Sequence, residues 1–261
     1  MTDRCRQCGG MLKPQGTGFK CICCGTYFAT LEELRPRTAA PASPYSYTES
    51  APMPQKFDHG VDVFDMNINS VLEITWEDSQ YKHSGSGFLI SPDGYAVTNT
   101  HVVTHENGAS CREVTVRMCG EWTTATVLSL GDNRHGDGNG DDLAIIKLSR
   151  VPASARVVHF ERSANVRNGE RVFVIGNSLG YGTCITSGIV SDRERNVNGK
   201  MLLMTDCAVN GGNSGGPIYN EKGLVIGAIV SGIPSAEGMN FAIPVDTVLA
   251  FIRSNSPVRV G

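Results

Sequence analysis

The chain has 261 residues, 40% of them hydrophobic, 19% charged and 7% aromatic, with nine cysteines. That apolar content builds a real core and excludes global disorder, and the length allows one large domain or a medium domain with a small companion. The net charge of −3, from 23 basic against 26 acidic residues, gives no bulk attraction to nucleic acid or to an anionic membrane surface. Glycine fills 30 of 261 positions, about 11% against a usual value of about 7%, and leans towards a turn-rich β protein. An odd cysteine total excludes complete internal pairing. The first residues, Met1-Thr2-Asp3-Arg4-Cys5, are polar and show no apolar leader. The longest apolar stretch, around Leu224 to Ile233, contains Gly227, Ser231 and Gly232. It falls well short of the roughly 18–20 residues of a membrane span. The expectation is a cytoplasmic protein whose thiols stay reduced.

Composition divides the chain into three parts: residues 1–30, 31–60 and 61–261. In the first, Cys5-x2-Cys8 is followed by Cys21-x2-Cys24, with Gly9 and Gly25 directly after each pair. Two such turns each point two thiolates at one place, which supplies the four soft ligands of a tetrahedral structural Zn²⁺. Cys23 is a spare thiol beside the second pair. So short a segment cannot fold on its apolar residues alone, so the metal is expected to supply much of its folding free energy. The pattern resembles a zinc ribbon. Residues 1–35 carry five basic and three acidic side chains, and four thiolates on zinc bring the segment near neutrality. A nucleic-acid surface is therefore not indicated, and a protein-docking or regulatory role is the simpler reading. Residues 35–58 hold five of the twelve prolines among many Ala and Ser, which reads as an extended linker without a core.

The third part alternates apolar residues with glycine turns. It predicts strands at Val71–Trp76, Gly85–Ile90, Tyr95–Asn99, Val114–Met118, Ala125–Leu130, Leu143–Leu148, Arg171–Ile175, Thr183–Ser191, Met201–Thr205, Gly223–Ser231 and Met239–Ile243. Pro92-Asp93-Gly94 joins two of them as a tight turn. Val245, Val248, Leu249 and Ile252 repeat at helical spacing after Pro244 and predict a short closing helix. The fold class is all-β, a barrel or sandwich. Cys184 and Cys207 are expected to be buried in strands, and Cys111 and Cys119, eight apart, to share one face of a strand.

The strongest chemical signal is Gly211-Gly212-Asn213-Ser214-Gly215-Gly216-Pro217. An attacking hydroxyl must stand exposed on a tight turn whose N–H groups converge where the oxyanion develops, and glycines permit that backbone. Thr98-Asn99-Thr100-His101-Val102-Val103 places His101 at a strand end as a base. Asp142, directly before Leu143-Ala144-Ile145-Ile146, supplies a carboxylate to hold its imidazole. His105 and Asp141 are nearby decoys outside these motifs.

The order His, Asp, Ser within these motifs resembles the chymotrypsin-like serine proteases, and most closely their HtrA (DegP-like) branch. The likeness covers residues 61–254 and includes Gly85-Ser86-Gly87-Phe88, Ile175-Gly176-Asn177-Ser178-Leu179-Gly180 and Asn240-Phe241-Ala242-Ile243-Pro244. It implies two six-stranded barrels, one near 70–150 and one near 155–245, with the active site between them. It implies Ser214 as nucleophile, His101 as base and Asp142 as orienting acid. The oxyanion hole would come from the backbone N–H groups of Gly212 and Ser214, with Asn213 between them. By the same likeness Ala208 floors the primary pocket, whose lack of a carboxylate points to small or medium aliphatic residues. Ile229, Val230 and Ser231 form the strand that pairs with substrate.

The PDZ domain common in that branch is expected to be absent after residue 261, so its tethering role is not carried over. HtrA-like domains often trimerise, so a homo-oligomer is implied by resemblance. Between Gly131 and Asp141, Asp137, Asn139 and Asp141 alternate as in a calcium loop. Asp142 stands where that loop needs Gly and Leu148 where it needs Glu, so an ordinary polar loop is expected. The leading function is a serine endopeptidase acting on proteins or peptides in quality control or regulated proteolysis. A second reading keeps the fold without turnover, as a regulated or inactive scaffold recruited through the ribbon.

Overall fold

A computed structural model of the chain describes residues 12–21, 27–29, 59–78, 82–105, 108–131, 141–232 and 238–259. The chain separates into two compact units, Met1–Lys56 and Phe57–Gly261. In the first, β1 (Leu12–Gln15), β2 (Gly18–Cys21) and β3 (Tyr27–Phe28) form an antiparallel sheet in that order. Its hairpin pairs Gln15 with Gly18 at the turn and Leu12 with Cys21 at the open end. Of the cysteines there, Cys21 ends β2, while Cys5, Cys8, Cys23 and Cys24 lie outside the described residues. So does most of the polar loop between Gly131 and Asp141.

The second unit opens with helix α1 (His59–Asn67). Strands β4 (Val71–Glu77), β5 (Lys82–Leu89), β6 (Tyr95–Thr98), β7 (Glu113–Met118), β8 (Glu121–Leu130) and β9 (Ala144–Leu148) close into a barrel in the order β4-β5-β6-β9-β8-β7. Strands β10 (Arg171–Asn177), β11 (Thr183–Val197), β12 (Lys200–Thr205), β13 (Pro217–Asn220), β14 (Val225–Gly232) and β15 (Asn240–Pro244) close a second, in the order β10-β11-β12-β15-β14-β13. Helix α2 (Val245–Asn255) follows, with Val245, Val248, Leu249, Phe251 and Ile252 buried. The expected double barrel with a closing helix is the architecture found.

Three apolar cores hold this unit, and strand periodicity assigns residues to them. Successive side chains point to opposite faces. In β9, Ala144, Ile146 and Leu148 fill the interior of the first barrel, while Ile145 faces outward. In β10, Val172 and Val174 fill the second barrel, while Phe173 and Ile175 face outward. The outward residues meet between the barrels, joined by Phe88, Val97, Tyr219 and Ile243, by Val63 of α1 and by Val248 and Ile252 of α2. Both faces of these strands are thus buried, which is why they read as unbroken apolar runs.

Several differences from expectation have local causes. Helix α1 lies where the linker reading ended. Among its described side chains Val63 alone is fully buried, and Val61 and Met66 are exposed, so its periodicity is weak. Strand β13 was hidden behind the glycine motif that precedes it. Strand β11 runs on to Val197 as a polar ribbon with β12, turning at Asn198 and Gly199, both at positive φ. Cys111 and Cys119 do not share a strand face: they flank β7, with Cys119 in the turn at φ 53. Cys207 is buried but lies past the end of β12, and Cys184 on β11 is exposed rather than buried. These four described thiols are free.

Because the middle core belongs to both barrels, they should unfold together. Phe173→Ala is expected to lower stability by about 3–5 kcal/mol while preserving one cooperative transition. Urea denaturation followed by tryptophan fluorescence and far-UV circular dichroism checks this, and two separate transitions would contradict it.

Candidate active site

Strand β6 leads to His101, the expected base. Beyond its end, Asn99 and Thr100 are fully buried. Asn99 Nδ2 donates to Asp142 O (2.6 Å) and Thr100 Oγ1 to Leu143 O (2.7 Å), which locks this segment to the start of β9. His101 begins the 3-10 turn that follows. Its Nδ1 lies 2.6 Å from Asp142 Oδ2, and its backbone N–H donates to Asp142 Oδ1 at 3.1 Å. A carboxylate only accepts, so Nδ1 carries the proton and Nε2 is left as the basic nitrogen. The Asp142 side chain is 6% exposed and that of His101 45%, an acid sealed from water behind an accessible imidazole. Asp141 is exposed, and the carboxylate that meets His101 is that of Asp142. His105 packs edge-on against Trp76, with ring centroids 4.5 Å apart.

The nucleophile turn can be resolved by accounting for its backbone groups. The carbonyls of Gly211, Gly212, Asn213 and Ser214 accept from Leu179 N–H (2.6 Å), the Ser86 hydroxyl (2.7 Å), Gly216 N–H (2.9 Å) and Ser86 N–H (2.8 Å). Asn213 N–H donates to Asn210 O (3.1 Å) and Gly215 N–H to Ile229 O (2.8 Å). Of the N–H groups in residues 212–216, those of Gly212 and Ser214 have no partner among the described residues. A peptide is planar and trans, so each of these N–H groups points away from a carbonyl that is already held. Asn213 is thereby corrected: its N–H is committed within the turn. Gly212 has φ +92, and a Cβ there would lie 2.1 Å from Asn177 O, so the position admits only glycine.

The Ser214 hydroxyl donates to Val230 O at 2.9 Å, and among the described residues no bond joins it to His101. Val230 sits at an irregularity in the β14–β15 pairing, between Ile229 and Ser231. Ile229 is fully buried in the second barrel, and both its backbone groups are bonded to the turn. That is a second correction, since Ile229 has nothing left to offer a substrate. Ser231 continues β14 opposite Phe241. Ala208 is exposed, with its carbonyl held by Thr186 Oγ1 at 2.9 Å. Beside it, burial pushes the Cys207 thiol up to about 11, which marks it as packing rather than as a nucleophile.

Ser86 was not singled out from the sequence. It is fully buried on β5 of the first barrel, yet it touches the turn of the second through both its hydroxyl and its N–H. Its oxygen also accepts Asn177 N–H at 2.8 Å. The available signal was Gly85-Ser86-Gly87, because small residues inside a strand mark the close approach of another backbone.

Residues 85–227, more than half of the chain, match the family described as the trypsin-like peptidase domain, and the chain belongs to that family. Its similarity runs to the HtrA branch. A DegP-like periplasmic serine endoprotease of Hahella chejuensis is 36% identical over 172 residues, covering 64% of this chain and 34% of the relative. One from Chlamydia pneumoniae is 39% identical over 167 residues, covering 61% and 32%. The solved HtrA-type protease AlgW with a tripeptide superposes with a TM-score of 0.65 at 28% identity, over 74% of this chain and 62% of that one. The chain thus spans about a third of the length of the curated relatives it matches. Those relatives also overturn the expected cytoplasmic location, since they are named as periplasmic. That expectation rested on polar first residues and reduced thiols, and neither decides the compartment.

The contact at His101 separates the two neighbouring acids. Asp142→Asn is expected to cut peptide hydrolysis by about 10⁴-fold, through loss of the correct imidazole tautomer, while Asp141→Asn leaves it near wild type. Steady-state rates of the two variants check this, and the reverse ranking would reassign the acid.

Proposed function

We propose that this chain is a serine endopeptidase working through an acyl-enzyme. The observation that carries the reading is the pair of N–H groups, Gly212 and Ser214, left without a partner among the described residues on either side of the Gly212–Asn213 peptide. His101 Nε2 takes the Ser214 proton as Oγ attacks the substrate carbonyl, and the two N–H groups receive the oxyanion. Collapse expels the amine, which takes the proton back from His101. Water then repeats the sequence on the ester. Asp142 stays ionised throughout and balances the imidazolium.

The substrate enters as an added strand along β14, beginning at Val230. Its N–H takes Val230 O, which releases the Ser214 hydroxyl to His101. By the family resemblance Ala208 stands at the floor of the primary pocket without a carboxylate, which favours a small or medium aliphatic residue before the scissile bond. By likeness to the DegP-like relatives, the substrates are proteins or peptides, and the setting is quality control or regulated proteolysis. A fluorophosphonate probe is expected to label wild type at Ser214, with casein hydrolysis abolished in Ser214→Ala. Unlabelled Ser214, or equal hydrolysis by both proteins, would return the chain to the scaffold reading.

We further propose a structural zinc on Cys5, Cys8, Cys21 and Cys24. The register of the β1–β2 hairpin supports it. Leu12 pairs with Cys21, so the chain enters β1 and leaves β2 at the same end, with one Cys-x2-Cys motif before the hairpin and one closing it. Bound there, zinc supplies folding free energy and no catalytic chemistry. Metal analysis is expected to give about one zinc per chain, lost when Cys5 and Cys8 are replaced by Ser, with casein hydrolysis retained. Absence of zinc from protein purified without chelators would remove the proposal.

A further inference from the structure

We propose that Ser86 is a positioning residue that holds the oxyanion hole open, a role that rests on the serine-endopeptidase reading. The argument starts from the four carbonyls that fix the nucleophile turn. Those of Gly211 and Asn213 are held by backbone N–H groups of the second barrel, Leu179 and Gly216. The other two, Gly212 and Ser214, are both held by Ser86 of the first barrel, through Oγ at 2.7 Å and N–H at 2.8 Å. The Ser86 hydroxyl is the one side-chain group among these four donors.

That hydroxyl both donates and accepts. It donates to Gly212 O and accepts Asn177 N–H, and the Asn177 carbonyl is the atom that crowds Gly212. The Gly212–Asn213 peptide is therefore held through its carbonyl by Ser86 and through its N–H by Asn210. Glycine at φ +92 has wide conformational freedom, so without such restraints the Gly212–Asn213 peptide would rotate at little cost. That peptide lies between the planes that carry the N–H groups of Gly212 and Ser214, so its rotation would change their spacing and mutual direction at the developing oxyanion. Ser86 itself needs no contact with substrate. It acts by fixing the peptide that sets how the two donors converge.

Such a role differs from plain structural support in what it moves. Ser86→Ala is expected to lower kcat by about ten- to a hundredfold, less than outright loss of an oxyanion donor, with KM little changed. A peptide aldehyde, whose adduct with Ser214 places an oxyanion in the same site, should lose affinity in parallel with kcat. The matching peptide alcohol, which forms no adduct, should bind as before. Ser70→Ala is the control. That hydroxyl is equally sequestered, donating to Asn67 O at 2.6 Å and lying 3.1 Å from Tyr219 Oη, but it is remote from the turn. It should cost stability and leave kcat and aldehyde affinity unchanged. Should Ser86→Ala fail to fold, Ser86→Cys keeps the shape with a weak donor and is expected to fall between the two. Full kcat in either Ser86 variant, or a loss of kcat without loss of aldehyde affinity, would overturn the proposal. Either result alongside Ser214-dependent turnover in wild type leaves the endopeptidase reading standing. Wild type that hydrolyses no better than Ser214→Ala removes both.

Discussion

The polar bridge from β5 to the nucleophile turn runs beside the apolar core shared by the two barrels. Phe88, two residues from Ser86, faces Phe160 in a T-shaped contact inside the shared core. Burying hydroxyl and amide groups beside such side chains costs free energy unless every one finds a partner. Ser86 meets that condition completely: its N–H, carbonyl and hydroxyl are bonded to Ser214, Thr98, Gly212 and Asn177. The apolar contacts press the barrels together without fixing their alignment, whereas the directional bonds tolerate one alignment. The site is therefore set by how the barrels meet.

The same logic explains how base and acid are held. Neither Asn99 nor Thr100 touches the reacting atoms. Each spends a buried side-chain donor on the backbone that carries Asp142 and Leu143. Among the described residues, the buried oxygens Asn99 Oδ1, Asn213 Oδ1 and Glu170 Oε1 have no protein hydrogen-bond partner.

How much of this was legible depended on how far along the chain each interaction reaches. Ser214 and its glycines are a contiguous signal, since one turn needs all of them. His101 and Asp142 lie 41 residues apart, and each sits in its own short motif, so order and resemblance joined them. Ser86 is 126 residues from Gly212 and 91 from Asn177, with nothing in its own segment to name either partner. Ile229 departs from expectation for a related reason: period-2 alternation sends its side chain into the second barrel, and its backbone is consumed by the turn. The two-barrel fold was legible because β9 and β10 are apolar on both faces. α1 was not, because Val63 alone among its described side chains is fully buried.

One acceptor links the resting site to the occupied one. Val230 O lies at an irregularity in the β14–β15 ladder, and what fills it here is the Ser214 hydroxyl. In the proposed mechanism a strand added along β14 presents a backbone N–H to the same oxygen and displaces the serine hydroxyl. The acceptor proposed for the displaced hydroxyl is His101 Nε2, whose tautomer is set because Asp142 holds Nδ1. Binding and activation would then be one exchange of hydrogen bonds. Solvent alone does not force that exchange, because water can bond to His101 without taking Val230 O from the serine.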